Sequence, residues 1–233
     1  MTEQEWLECT NPQPMLMFLQ GKVSDRRLRL YAVSCSRRFL HLTRDRRVGE
    51  VLDIAERLAD GLVADMDRSN ARKAAQQAAQ VRGVFAHPEA PKWERRVASL
   101  AYYSVARKPM EAAWNVPGLA VEVLIWHAGG HSNCDWQAIK TAEMIVHSDL
   151  LRDIFGNPFR PIAIDSSWLA WNDGTIPRIA QTIYDERAFD RLPIFADALQ
   201  DAGCDNADIL SHCRIDGPHV RGCWVVDLLL SKQ

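Results

Sequence analysis

The chain has 233 residues, 47% of them hydrophobic and 25% charged, with a formal net charge of −2 at pH 7. This is the composition of a soluble globule, long enough to bury a substantial core. It excludes low-complexity, collagen-like and disulfide-stapled miniature proteins. The charge is unevenly placed: residues 1–116 hold 19 Lys/Arg against 14 Asp/Glu (+5), and residues 117–233 hold 9 against 16 (−7). Such asymmetry marks a basic surface for an acidic partner, or two lobes, 1–116 and 117–233, that attract each other; the second is preferred.

The opening MTEQEWLECT is acidic and lacks the basic start and apolar run of an export signal. No apolar run approaches the length of a membrane span. The expectation is a cytoplasmic protein that contacts no membrane. Cys9, Cys35, Cys134, Cys204, Cys213 and Cys223 are then read as reduced thiols.

Helix signals follow one another along the chain. Thr2 and Glu5 form a capping-box pair. Asn11-Pro12 is a cap followed by a first-turn proline, and Gly21 ends that helix. Ser24 or Asp25 caps the next, in which Leu28, Ala32, Cys35, Phe39 and Leu42 recur at spacings of 4, 3, 4 and 3 and fall in one stripe. Arg26, Arg29 and Arg37 fall opposite that stripe, with Arg27 and Arg38 on its flank. Val51, Ile54, Leu58 and Leu62 continue in a fourth helix ending near Gly61.

Asn70–Arg82 is polar and Ala/Gln-rich, and FAHPEAPKW reads as a loop. A helix spans about Trp93 to Arg107; Pro109 opens another, which Pro117 breaks or restarts. GLAVEVLIW suits strand or buried helix, and its neighbours favour helix. HAGGHSNCD is a turn, after which Asn133 or Asp135 caps Trp136–Phe155, with Ile139, Ala142, Ile145 and Val146 as its apolar stripe. GNPFRPIAIDSSW is an extended connector. Thr175 or Pro177 opens a helix to Glu186, Asp190 caps one to about Ala202, and Asp205 caps a short one to Cys213. Pro218 opens the last. Almost no stretch alternates with period two. The expected fold is therefore all-α: a single domain over 1–233 with about ten helices, its N- and C-terminal segments packed together.

The opening MTEQEWLECTNPQPMLMFLQGKVSDRRLRLYAVSCSRRF, together with IFGNPFRP, YDERAFDRLP, DAGC and GPHVRGCWVVDLLL, resembles a paralogous family of helical proteins of planctomycete-type bacteria. The resemblance covers about residues 1–60 and 149–232. It implies that the two ends belong to one fold around a variable middle of about 65–148. It carries no activity, substrate or catalytic residue with it. One departure is visible: similar proteins tend to read CACCRR where this chain has SCSRR at 34–38.

The densest group of chemistry-bearing residues is CDNADILSHCRIDGPHVRGC, residues 204–223. Cys and His are the usual zinc ligands, four to a structural site. His219 and Cys223 would share one helix face, with His212 and Cys213 ending the helix before. A zinc site from His212, Cys213, His219 and Cys223, or from part of this set and one further group, follows from that placement. The spacing C-x7-HC-x5-H-x3-C fits no standard zinc pattern, and the competing reading is buried thiols facing neighbours such as Leu210 and Leu228, with capping histidines.

A second group, His127, His131, Cys134, Glu143 and His147, lacks the HExxH and ExxH spacings and reads as turn and surface histidines. No GxSxG, Walker A or GxGxxG occurs. Residues 22–47 hold nine Lys/Arg against two Asp, a basic face able to follow phosphates, yet no reading motif accompanies it and the sequence pI is about 6.4.

No catalytic constellation survives. The expected function is a non-catalytic adaptor or regulatory module that binds another protein. Its candidate contacts are Trp168, Trp171 and Arg187, with Arg26, Arg29 and Arg37 as the basic face, and it needs no cofactor. The alternative is a zinc-stabilised helical protein or enzyme built on the 204–223 cluster. The third is a nucleic-acid-associated accessory protein that uses the 22–47 helix.

Overall fold

The computed structural model describes residues 1–80 and 91–232. The described residues contain α-helices, short 3-10 turns and no strand, so the fold is all-α. In order they are α1 (Glu3–Glu8), α2 (Pro12–Leu19), α3 (Asp25–Arg37), α4 (Arg46–Ala59), α5 (Asp65–Gln80), α6 (Lys92–Ser104) and α7 (Pro109–His127). They continue with α8 (Trp136–Phe155), α9 (Ser166–Glu186), α10 (Leu192–Asp201), α11 (Ala207–Arg214) and α12 (Trp224–Leu229). The expected loop FAHPEAPKW falls, over 85–90, outside the described residues.

Local capping chemistry sets most helix starts. Thr2 and Glu5 bond each other's backbone N–H groups, at 2.8 and 3.2 Å. The side chains of Asn11, Ser24 and Asp45 accept from Gln13, Arg27 and Arg47 N–H. Asp135 does the same for α8, accepting from Ala138 N–H at 3.0 Å. At α11 the cap is Asn206, whose Oδ1 accepts from both Asp208 and Ile209 at 3.1 Å, and not Asp205. At α10 no side chain caps at all: a 3-10 turn, Phe189–Arg191, runs straight into the helix, so Asp190 is not used.

The chain divides into two units. The first is Met1 with Glu8–Ser148, and the second is Thr2–Leu7 with Asp149–Gln233. In the first unit α3 packs against α4, α6 and α7, and α6 packs against α4, α5 and α7. Every residue from Leu28 to Ser36 is buried, so α3 has no solvated side over that stretch. Arg29 therefore goes inward, contrary to the expected basic face. Only 6% of it is exposed, and its Nη1 donates to the carbonyls of Ser104 (2.9 Å) and Ala106 (3.0 Å). These carbonyls lie at the C-terminal end of α6, where a cation meets the negative pole of the helix. Burial draws its guanidinium down to about 10, leaving it charged at neutral pH.

Pro117 sits inside α7 and does not break it. An interior proline costs about 3 kcal/mol through the lost N–H bond and ring clash. Burial of Ala113, Val116, Ala120 and Val123 against the neighbouring helices offsets that cost. The segment GLAVEVLIW, expected as strand or helix, is helix for the same reason.

In the second unit α10 packs on α9 and α11, and α12 packs on α9 and α11. Its core gathers Trp168, Tyr184, Phe195, Cys204, Cys213 and Cys223 among aliphatic residues. The N-terminal residues join this unit, since Trp6 is fully buried and its Nε1 donates to the carbonyl of Gly156 at 3.0 Å. Gly156 ends α8 at φ +64°, and a Cβ there would stand 3.0 Å from the ring of Trp224. Two chain segments therefore meet on one glycine that tolerates no side chain.

Two expectations fail here. Pro218 does not open a helix. Val220 gives its N–H to Asp153 Oδ2 at 3.0 Å instead of to a helical carbonyl, Gly222 turns at φ +102°, and α12 begins only at Trp224. The connector before Thr175 contains a helical turn of its own: α9 starts at Ser166 and is kinked at Trp171–Gly174, where Asn172, Asp173 and Gly174 have positive φ.

Gly156→Ala is expected to destabilise the second unit by about 1–3 kcal/mol, from left-handed strain and contact with Trp224. Urea unfolding monitored by tryptophan fluorescence checks this. An unchanged midpoint would show that the Trp6–Gly156–Trp224 arrangement carries no stability.

Candidate metal centre

The second unit brings together four donor side chains from three segments. Asp153 stands in the last turn of α8 and His212 near the end of α11, while His219 and Cys223 lie on the turn between α11 and α12. One donor atom from each lies within 4.8 Å of all the others. Asp153 Oδ1 is 2.7 Å from His219 Nδ1 and 3.2 Å from His212 Nε2, and His212 Nε2 is 3.2 Å from Cys223 Sγ. His219 and Cys223 are brought to this point by the turn at 217–223, not by a shared helix face.

Two of the donors are held by hydrogen bonds from outside the group. His219 turns its other nitrogen, Nε2, to the carbonyl of Ile215 at 3.1 Å. A carbonyl only accepts, so Nε2 carries the proton and Nδ1 points its lone pair at the cluster whenever the ring is neutral. Asp153 Oδ2 is held by the Val220 N–H. The ring of His212 lies between those of His219 and Trp224, at centroid distances of 4.8 and 5.1 Å.

Electrostatics at the site couple the same groups. Burial works against charge on His219, but the hydrogen bond and charge of Asp153 outweigh it and hold the imidazole above its ordinary range. Burial first, and the Asp153 charge second, push the Cys223 thiol well up. This thiol is no free nucleophile. It is fully buried, and both Cys223 and Asp153 contact the same nitrogen of His212, so no base-and-orienter relay forms. With Asp153 and Cys223 ionised and both imidazoles neutral, the donors carry two negative charges, matching a divalent ion. One sulfur, two nitrogens and one oxygen is a donor set that zinc accepts.

The expected fourth donor, Cys213, is elsewhere. It is fully buried in the apolar core, where burial pushes its thiol up to about 12. Cys204 is likewise a core thiol. Asp153 takes the place of Cys213. The sequence leaves a position open for one further group without naming it. The signal was an aspartate inside LLRDIF, on a helix whose neighbours Leu150, Leu151 and Ile154 are all buried.

The second expected group does not assemble. His127 packs edge-on against Trp93, His131 lies among Trp126, Trp136 and Glu122, and Cys134 donates to the carbonyl of Gly130. Glu143 and His147 are not surface residues. They are buried within the first unit, while Ala142 and Ile145 of the expected stripe are exposed. Arg38 forks onto both oxygens of Glu143. Glu143 Oε1 stands 3.0 Å from His147 Nε2, outside hydrogen-bonding angles. His147 Nδ1 meets Cys35 Sγ at 3.0 Å. Burial drives the Cys35 thiol far up and lowers the His147 imidazole despite Glu143. Neutral thiol and neutral imidazole suit a core bond, not nucleophilic chemistry.

Among the other candidate contacts, Trp168 is buried and Trp171 half-buried against the core. Arg187 is exposed in the left-handed conformation that ends α9. Arg26 pairs with Asp60 at 3.1 Å, and Arg37 pairs with Glu56 at 2.6 Å and Asp53 at 2.5 Å. Among the described residues no helix is long and apolar enough to cross a membrane. No family model, curated protein or solved structure matches this chain.

Folded His147 resists protonation, so below about pH 6.5 the unfolded chain binds more protons and stability falls with pH. At Glu143 burial opposes the charge, but His147 and Arg38 outweigh it and hold the carboxyl low. Its contribution is therefore present at neutral pH and lost only as pH falls through that lowered value. Urea titrations across pH should show stability declining from about pH 6.5 downward. His147→Gln should remove the part of the decline that begins near pH 6.5. Glu143→Ala should cost about 3 kcal/mol at pH 7, at the low end for a broken buried pair because Arg38 keeps some solvent.

Proposed function

We propose that this protein is a zinc-binding helical module, with Asp153, His212, His219 and Cys223 as the metal's ligands. The observation that carries the reading is the convergence of these four donors, with His219 and Asp153 each oriented by a separate contact. Four protein ligands fill a tetrahedral zinc site and leave no open position for a substrate. The metal's role in this reading is structural: it ties the end of α8 to α11 and to the turn that starts α12. The wider function is then non-catalytic, that of an adaptor whose binding surface the metal holds in shape.

Ligands bind metal in deprotonated form, so zinc affinity should fall as pH is lowered. Protein purified without chelator and dialysed against trace zinc should hold a stoichiometric zinc ion by elemental analysis. Chelation should lower the melting temperature of the second unit, because an ion that binds only the folded state stabilises it. Cys223→Ser should weaken zinc binding by more than about tenfold, whereas Cys213→Ser should leave it unchanged. Less than about a tenth of an equivalent of zinc at neutral pH would sink the proposal.

A further inference from the structure

Beside the four donors, the second unit opens a groove of about 480 Å³. Its apolar lining includes Trp6, Leu7, Ile215 and Trp224. Leu7 and Ile215 are 51% and 61% exposed. Two arginines face the groove, and both are matched. Arg152 pairs with Asp149 at 2.8 Å and donates to the carbonyl of Trp6, and Arg160 pairs with Glu3 at 2.5 Å.

Two carboxylates in the lining, Asp208 and Asp216, are exposed, and neither pairs with a basic side chain of the described residues. A divalent ion on Asp153, His212, His219 and Cys223 would be neutralised by its own ligands, so the groove keeps the negative charge of Asp208 and Asp216 with or without metal. Asp208 lies in the first turn of α11 and Asp216 just past its end. α11 rises about 9 Å from Asp208 to its last residue, Arg214, and Asp216 stands two residues beyond, with Ile215 exposed beside it.

We infer that this groove docks an extended segment of a partner protein bearing basic residues at i and i+4 and a large apolar residue at i+2. In an extended chain these three side chains point the same way, and i to i+4 spans about 13 Å. The basic pair meets Asp208 and Asp216 while the apolar residue lies on Ile215 and the Trp224 side of the wall. The apolar contact supplies affinity and the two carboxylates supply direction and selectivity. This goes beyond the zinc reading and does not depend on it.

The test uses the full chain and two fluorescein-labelled peptides, Lys-Ser-Leu-Ser-Lys and Glu-Ser-Leu-Ser-Glu, followed by anisotropy in zinc-supplemented and in chelator-treated buffer. The basic peptide should bind saturably and weaken as salt rises, and the acidic one should not bind. The double variant Asp208→Asn/Asp216→Asn should weaken the basic peptide by about fivefold or more, since exposed charge pairs are individually modest. Ile215→Ser should weaken it independently of salt. Circular dichroism and zinc content of the double variant should match the parent, because it alters no zinc ligand and no residue that orients one. Absence of saturable binding, equal binding of the acidic peptide, or unchanged affinity in the double variant would each overturn the inference. Zinc content is read separately, so failure of the metal proposal remains distinct.

Discussion

The carboxylate of Asp153 is the point on which the second unit turns. It is 3% exposed, and a buried carboxylate is costly unless it is fully partnered. One of its oxygens faces His219 and His212, and the other takes the N–H of Val220. These contacts explain why the chain from Pro218 to Cys223 is a turn and not a helix. Val220 spends its N–H on Asp153, His219 is drawn to the same oxygen, and Gly222 supplies the reversal that delivers Cys223. Removing that one side chain would leave the half-buried His219, the N–H of Val220 and the entry to α12 without their common partner. Behind it, Gly156 ends α8 where Trp6 and Trp224 arrive, so the carboxylate and the two tryptophans are placed by the same turn of helix.

The first unit solves a similar problem differently. Its central helix, α3, is surrounded, and the charges it carries must be answered from within. Arg29 is answered by the terminal carbonyls of α6, Arg37 by two carboxylates of α4, and Arg38 by Glu143. The arginines that look from the sequence like a solvated or phosphate-tracking face are therefore largely occupied inside this unit. Buried pairs of this kind add little net stability over an apolar core, but losing one partner is expensive. They also make the unit sensitive to acid, because His147 is held neutral and Glu143 charged.

Several helix starts were legible because capping is local. Thr2 with Glu5, Asn11 with Pro12, Ser24 and Asp135 all act on N–H groups two or three residues away. The all-helical character was legible for the same reason. What could not be read was where polar side chains find partners far along the chain. His219 meets Asp153 from 66 positions away, Trp6 meets Gly156 from 150, and Cys35 meets His147 from 112. The apolar stripe of α8 misled for a related reason. Periodicity picks out Ile139, Ala142, Ile145 and Val146, whereas the buried side is built from Glu143, His147, Leu150, Leu151 and Ile154. An apolar pattern cannot find a face whose members include a partnered carboxylate and an imidazole. The 204–223 cluster was visible as a group of donors, yet its fourth member was hidden because Asp153 reads locally as an ordinary helix residue.

The most direct test of the account is the coordination shell of added zinc. X-ray absorption at the zinc edge, on protein loaded with a single equivalent, should show one sulfur at about 2.3 Å and three nitrogen or oxygen scatterers at about 2.0–2.1 Å. Asp153→Ala should leave the sulfur distance in place and remove one light scatterer or replace it with water. A shell with two sulfurs would place Cys213 in the site instead of Asp153, and a shell with no sulfur would show that Cys223 is not a ligand. Either result would contradict the account.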